Sequence, residues 1–521
     1  MIQKMVRTTT KTTAPVAIPK ITAFGNESGI EDKLRRGGGE GGAASNLLPS
    51  WKLGCAASSG AAEVVCVADW MELAEVAGGE DNTLAKRGDA SYGVEVADDG
   101  LVEPKSKVKI LVEKRYGRIF RADLFGRPTV VSCDAEFNSF VLNNEERLFA
   151  ASYPKSIPGV LGDQTLLVVQ GEKHKQLRGL VVNLMTAVKN PEGSSFFSDI
   201  DYGARRVLGS WKDGETVVLC NETRKFTFGV IVKQILSLRP EDPEAIKILE
   251  CYKTFMKGLT SLPLIFPGSP YSKAIKARHQ ILDILRGIVR QRENRMREKE
   301  EKEKKDFLDM LLADENLAEE NVLSLMLDLL LGGYETTAML IAIAVKYLSE
   351  NPEMLNELKE EHIELIKNKR GERLEWDDYK KMEFTQCLIS ESLRLGNVVK
   401  FLHRETTKSI QFKAYKIPAG WKVLPVITGV HLDPSLHSDP SSFNPFRWKR
   451  MDTNEKSFMP FGGGKRKCPG LELARLEAAI FIHHLALRYT WIPISQSDWP
   501  ISHPYLDFKD GFQIAIKSRH V

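Results

Sequence analysis

Residues 461–470 read Phe461-Gly462-Gly463-Gly464-Lys465-Arg466-Lys467-Cys468-Pro469-Gly470, and no other run constrains the chain as tightly. It sets one cysteine between a glycine-rich loop and the start of a strong helical pattern. Pro469 suits a first helical position, where its missing N–H costs nothing. The positive end of the helix dipole then lies near the Cys468 sulfur, which predicts a thiol shifted toward its charged form. Successive glycines let the backbone approach a flat ligand and take φ values closed to other residues. Arg466 adds a permanent cation able to pair with a carboxylate on such a ligand. A buried structural cysteine is the ordinary alternative for a lone thiol.

A second feature is Gly332-Gly333-Tyr334-Glu335-Thr336-Thr337, inside the long apolar stretch Leu325 to Val345. Two glycines within a helix cost about 1 kcal/mol each relative to alanine, so a compensating role is expected. Small residues let a flat ligand lie against the helix. A threonine hydroxyl competing for backbone carbonyls predicts a local opening, with Glu335 and Thr336 placed to relay protons. The plain alternative is a packing glycine pair beside solvated side chains. Asp328 and Glu335 interrupt the apolar run, so it reads as a core helix and not as a span of the ~18–20 apolar residues that a bilayer needs.

Glu391-Ser392-Leu393-Arg394 puts an acid and a base on one helix face, and His174 and Arg178 share a face at i, i+4. His483-His484 invites a metal reading that helical geometry rejects: adjacent residues point about 100° apart, and zinc-binding helices use i, i+4.

These motifs together resemble the cytochromes P450. The run Phe461-x-x-Gly464-x-Arg466-x-Cys468-x-Gly470 is similar to that family's haem-binding signature, in which a cysteine thiolate is the proximal iron ligand. Gly332 to Thr337 resembles its oxygen-activation motif, and Phe443-Asn444-Pro445-Phe446-Arg447-Trp448 the segment whose arginine completes a buried triad with Glu391 and Arg394. The resemblance implies a mainly α fold with small β-sheets, one large haem-binding domain, and haem b as cofactor. Cys468 is then the iron ligand. His174, Arg178, Arg404 and Arg466 hold the propionates, and Phe461, Gly462 and Gly333 line the haem. Thr336 and Glu335 are the catalytic pair, and Glu391, Arg394 and Arg447 are structural. It further implies an apolar substrate, O2, and electrons from an NADPH-dependent P450 reductase at the endoplasmic reticulum membrane.

Ser152-Tyr153-Pro154-Lys155-Ser156-Ile157, Val398 to Arg404 and Leu471 to Glu477 resemble the plant clan that oxidises brassinosteroids, sterols and triterpenoids. Substrate contacts are expected at Pro154–Gly162, Val398–Leu402 and Asp507–Ile516, the last read as a hairpin turning at Asp510-Gly511. Two other readings stay open: a haem-thiolate isomerase needing no external electrons, and a damaged or truncated relative without activity.

The likeness runs from residue 104 to the end. Residues 1–103, rich in Gly, Ala, Ser and acidic residues, read as an atypical segment, disordered or non-homologous. They show none of the clan's anchor, hinge or first helix, so membrane association rests on resemblance. The formal net charge of +4 gives no case for nucleic-acid binding. The seven cysteines, scattered without CxxC spacing, read as reduced thiols.

Overall fold

Helix starts follow local signals. Asp134 accepts the Phe137 N–H at 2.7 Å ahead of α1 (Ala135–Asn143), and Ser269 accepts the Ser272 N–H at 3.1 Å with Pro270 in the first turn. Each side-chain oxygen satisfies an N–H that the helix itself leaves unpaired. The computed structural model describes residues 21–22 and 117–519, apart from 125, 189–195, 260, 299–305, 370–373, 450–455 and 503–505. The amino-terminal segment of 103 residues therefore lies outside the described residues, but for Ile21–Thr22.

Nine further helices position the site: α2 (Gly171–Ala187), α3 (Phe196–Gly209), α4 (Leu219–Leu236), α5 (Pro243–Leu259), α6 (Pro270–Arg297), α7 (Glu319–Glu350), α8 (Pro352–Lys369), α9 (Glu383–Gly396) and α10 (Leu471–Arg488). α7 is the hub, packing on α4, α6, α8, α9 and α10. Val322 to Leu327 and Thr337 to Lys346 are buried along it. By length and composition α7 could cross a membrane, but here its apolar surface forms the core with α4 and α10. It runs unbroken through Gly332 and Gly333, so the expected local opening does not occur.

The strands form small sheets. A six-stranded sheet has the order β1 (Ile21–Thr22), β2 (Ile119–Leu124), β3 (Arg127–Ser132), β9 (Lys422–Pro425), β6 (Arg404–Thr406) and β4 (Phe149–Ala151). Its β3–β9 pair is parallel and its other pairs antiparallel. β7 (Ile410–Phe412) and β8 (Tyr415–Ile417) pair separately. A satellite core of Val130, Phe137, Phe149, Phe412 and Val423 joins this region to α1. Near the end, β10 (Tyr489–Pro493), β13 (Gln513–Ser518) and β5 (Thr216–Val218) make a three-stranded sheet, and β11 (Pro500–Ser502) pairs with β12 (Leu506–Phe508).

That last arrangement corrects the expected hairpin. Asp510-Gly511 does turn the chain, with Gly511 at φ +72°, but the strands on either side belong to different sheets. The Leu219 and Cys220 N–H groups capture the Phe512 and Gly511 carbonyls at 3.0 and 3.1 Å. α4 thereby sends β13 to β5 and away from β12.

Candidate active site

Gly464 shows why the cysteine loop is built of glycine. Its φ is +61°, and a Cβ there would lie 2.0 Å from the Leu142 carbonyl oxygen, so no side chain fits between the loop and α1. The Cys468 N–H donates to Phe461 O at 2.9 Å, closing the loop on itself just before α10. Burial pushes the Cys468 thiol up, opposed by the Gly470 N–H and by Arg178. This overturns the expected shift toward thiolate: the helix terminus contributes, but desolvation of the sulfur outweighs it. Cys468 nonetheless retains accessible surface. At such depth, accessible surface belongs to an enclosed space.

Four permanent cations and a histidine converge beside it. The Arg466 Nε donates to Glu145 Oε1 at 2.8 Å, and its Nη atoms donate to the carbonyls of Leu166, Leu167 and Val169. Arg404 Nε lies 2.5 Å from the other oxygen of Glu145. Arg178 donates to Lys467 O and interacts electrostatically with both Cys468 and Arg466. Lys465 pairs with Glu146 at 2.8 Å. His174 Nδ1 is 3.6 Å from Glu146, and burial, followed by the nearby Arg466 cation, takes the imidazole down to about 4. It is neutral at pH 7, so it can offer an N–H but no charge.

The structure therefore brings the expected basic residues together, though Arg404 and Arg466 meet on Glu145. Two carboxylates face four cations, and the surplus of two positive charges suits a ligand carrying two carboxylates. Haem b carries two propionates. With an accessible sulfur beside them, these residues fit it.

On α7, Gly332 and Thr336 are accessible while the residues before and after them along the helix are mostly buried. A Cβ on Gly332 would meet nothing within 4 Å. A Cβ on Gly333 would lie 2.9 Å from Ile231 of α4, so Gly333, expected against the haem, serves helix packing. Gly332 has the open side. The Thr336 hydroxyl donates to Gly332 O at 2.8 Å.

Glu335 is not free. The Arg224 Nε donates to its Oε1 at 2.9 Å, a second Arg224 nitrogen binds the same oxygen, and Arg224 also pairs with Asp507 at 2.9 Å. Burial disfavours the Arg224 charge, yet the two carboxylates outweigh that and hold it protonated more firmly than usual. Sequence reasoning missed Arg224 and Glu145. Arg224 lies 111 positions from Glu335 in an unremarkable helical stretch, and no local signal marks it.

Glu391 is fully buried. It accepts from Arg394 at 2.8 and 2.9 Å, Arg447 at 2.9 Å, the Asn444 N–H at 2.9 Å and the Trp448 indole at 2.9 Å. Arg394 in turn donates to the carbonyls of His431, Pro440 and Ser442. The network ties α9 to residues 431–448 ahead of the cysteine loop. The adjacent histidines diverge as helical geometry requires, His483 meeting His362 at 3.0 Å and His484 meeting Asp201 at 2.7 Å.

The cytochrome P450 family model matches residues 104–509. Cytochrome P450 724B1 of Oryza sativa subsp. japonica is 48% identical over 77% of this chain and 84% of its own length. Cholesterol 22-monohydroxylase CYP90B52 of Paris polyphylla is 45% identical over 78% of this chain and 86% of its own. A steroid (22S)-hydroxylase of Oryza sativa subsp. japonica is 42% identical, over 77% and 81%. Among solved structures, retinoic acid-bound cyanobacterial CYP120A1 superposes with a TM-score of 0.69 at 26% identity, covering 79% of this chain and 94% of that one. The chain belongs to the cytochrome P450 family. Within it, the chain is a monooxygenase of the plant clan that contains these relatives.

Proposed function

We propose that the protein is a steroid hydroxylase that places one atom of O2 on the side chain of a sterol, at carbon 22. The observation that carries this reading is the 42–45% identity, across more than three quarters of the chain, to relatives named for that reaction. Haem, when bound, supplies the iron chemistry that activates dioxygen. Cys468 is the residue to hold the iron, and His174, Arg178, Arg404 and Arg466 those to hold the propionates. Phe461 and Gly462 of the cysteine loop, with the open side of Gly332, would border the ring.

Thr336 is accessible on the open face of α7, where its hydroxyl would pass protons toward dioxygen when haem is bound. Glu335 supplies them, oriented by Arg224. Glu391, Arg394 and Arg447 keep the cysteine loop in register, the role for which buried ion networks are best attested. Electrons come from NADPH through a flavoprotein reductase at the endoplasmic reticulum membrane.

The test is stepwise. Reduced protein with carbon monoxide should show the far red-shifted Soret band of thiolate-ligated haem, lost in Cys468→Ser. Reconstitution with reductase, NADPH and cholesterol should then yield a 22-hydroxylated product. Turnover without NADPH or reductase would overturn the monooxygenase assignment in favour of an isomerase. Oxidation of non-steroidal terpenoids alone would overturn the steroid assignment.

A further inference from the structure

Asp328 carries a carboxyl deep in the molecule that the reaction scheme above leaves unused. It lies on α7 at i−4 from Gly332 and i−8 from Thr336, and so on the same open stripe of the helix. The rise of 1.5 Å per residue puts it about 12 Å from Thr336 along the axis, on the scale of a fused four-ring skeleton. Protein surrounds it, and burial pushes the carboxyl up to about 7 against the pull of Thr165, the Leu166 N–H and Arg278. Yet, like Cys468, it keeps some accessible surface, so that surface opens inward.

Its hydrogen bonds leave capacity. The Thr165 hydroxyl donates to Oδ1, and the Leu166 N–H donates to Oδ2 at 2.6 Å. Each carboxylate oxygen has two lone pairs, so both can take a second donor. Arg278 of α6 influences the group electrostatically but spends its Nε on Leu161 O at 2.9 Å. A buried acid is a poor way to add stability, since an apolar side chain of similar size does as well or better. The loop it touches, residues 165–169, is also the loop whose carbonyls Arg466 grips. Asp328 is therefore placed rigidly relative to the cysteine loop.

We propose that Asp328 is the polar anchor of the substrate pocket, bonding the lone hydroxyl at the far end of an otherwise apolar substrate and so fixing which carbon reaches Thr336. This rests on the steroid reading above, because cholesterol carries its single hydroxyl on ring A, at the opposite end from carbon 22. An alcohol both donates and accepts, so it satisfies the carboxyl in either protonation state. A hydrocarbon leaves the second acceptor position of each carboxyl oxygen unfilled.

The experiment is a spectral titration of the haem-loaded full chain with cholesterol and with cholest-5-ene, which lacks only the hydroxyl. The wild type should bind cholesterol at least about tenfold more tightly, the worth of one added hydrogen bond to a sheltered carboxyl. Asp328→Leu should bring the two affinities within about twofold. Thr165→Val, which loosens the loop and leaves the carboxyl, should keep most of the preference. A wild-type preference under about twofold overturns the anchor even if Asp328→Leu fails to load haem. So does a preference that survives in Asp328→Leu, or one that Thr165→Val abolishes. If a thiolate-haem protein responds to neither steroid, the steroid reading itself fails and the anchor falls with it.

Discussion

Replacing Arg224 by methionine keeps much of its length and removes its charge, leaving Glu335 and Asp507 beside each other without their shared cation. In the wild type Arg224 holds Glu335 through two nitrogens and Asp507 at 2.9 Å. The Arg224 and Glu335 side chains are 18% and 17% exposed and that of Asp507 is 43% exposed. Hydrogen bonds to charged groups contribute about 1.5–3 kcal/mol each when sheltered, and water reaching Asp507 screens its share. Arg224→Met should therefore cost about 2 kcal/mol, well short of the ~3–5 kcal/mol for breaking a fully buried pair. Glu335→Gln alone should cost a similar amount. The double variant should be less destabilised than the sum by about 1 kcal/mol, because the charge each single change strands is then gone. Denaturant unfolding of the four proteins measures this coupling. In reconstituted turnover, Arg224→Met should keep the carbon monoxide band while forming less product per NADPH consumed, as the proton supply loses its orientation. Additivity within ~0.5 kcal/mol, together with unchanged product per NADPH, would refute the argument that Arg224 positions Glu335.

Three other outcomes follow from the structure. Gly333→Ala should lower stability by about 1–3 kcal/mol through its contact with Ile231, whereas Gly332→Ala should fold normally and instead weaken substrate binding; thermal unfolding and spectral titration separate the two. Glu391→Gln should cost about 3–5 kcal/mol by stranding two buried guanidinium groups, read as a fall in the fraction of expressed protein showing the carbon monoxide band. His362 is fully buried, and desolvation, aided by His484, takes its imidazole down to about 3. The unfolded chain therefore binds the proton first, and the stability present above pH 6.5 is lost as pH falls. By pH 4 the loss from this group is about 3 kcal/mol, and His362→Asn should flatten the dependence of unfolding on pH by that amount.

Local chemistry made part of the site legible. The glycines and Cys468 mark a turn that only small residues can make, and Gly464 shows the cause in its positive φ and its contact with Leu142 O. Glu391 and Arg394 lie one helical turn apart, and that spacing alone brings them onto one face. The long apolar run of α7 was readable as a core helix because two acids interrupt it.

Other features depended on which distant elements meet. Which of two adjacent glycines faces open space was set by α4, whose Ile231 covers Gly333. The turn at Asp510-Gly511 was visible, but the strand it feeds was chosen by the N–H groups at the start of α4. The direction in which the Cys468 thiol is pushed was also decided by the fold, because the helix end that favours thiolate is local and the burial that opposes it is not.

The sequence by itself determined the cysteine loop, the glycine-bearing helix and the family, since each depends on residues within a few positions of one another. Tertiary structure alone decided the partners of the buried charges. Glu335 with Arg224, Glu145 with Arg404 and Arg466, and Asp328 with Thr165 join residues more than a hundred positions apart. Charges withdrawn from water must find partners wherever the fold puts them, and composition or spacing carries no record of that choice.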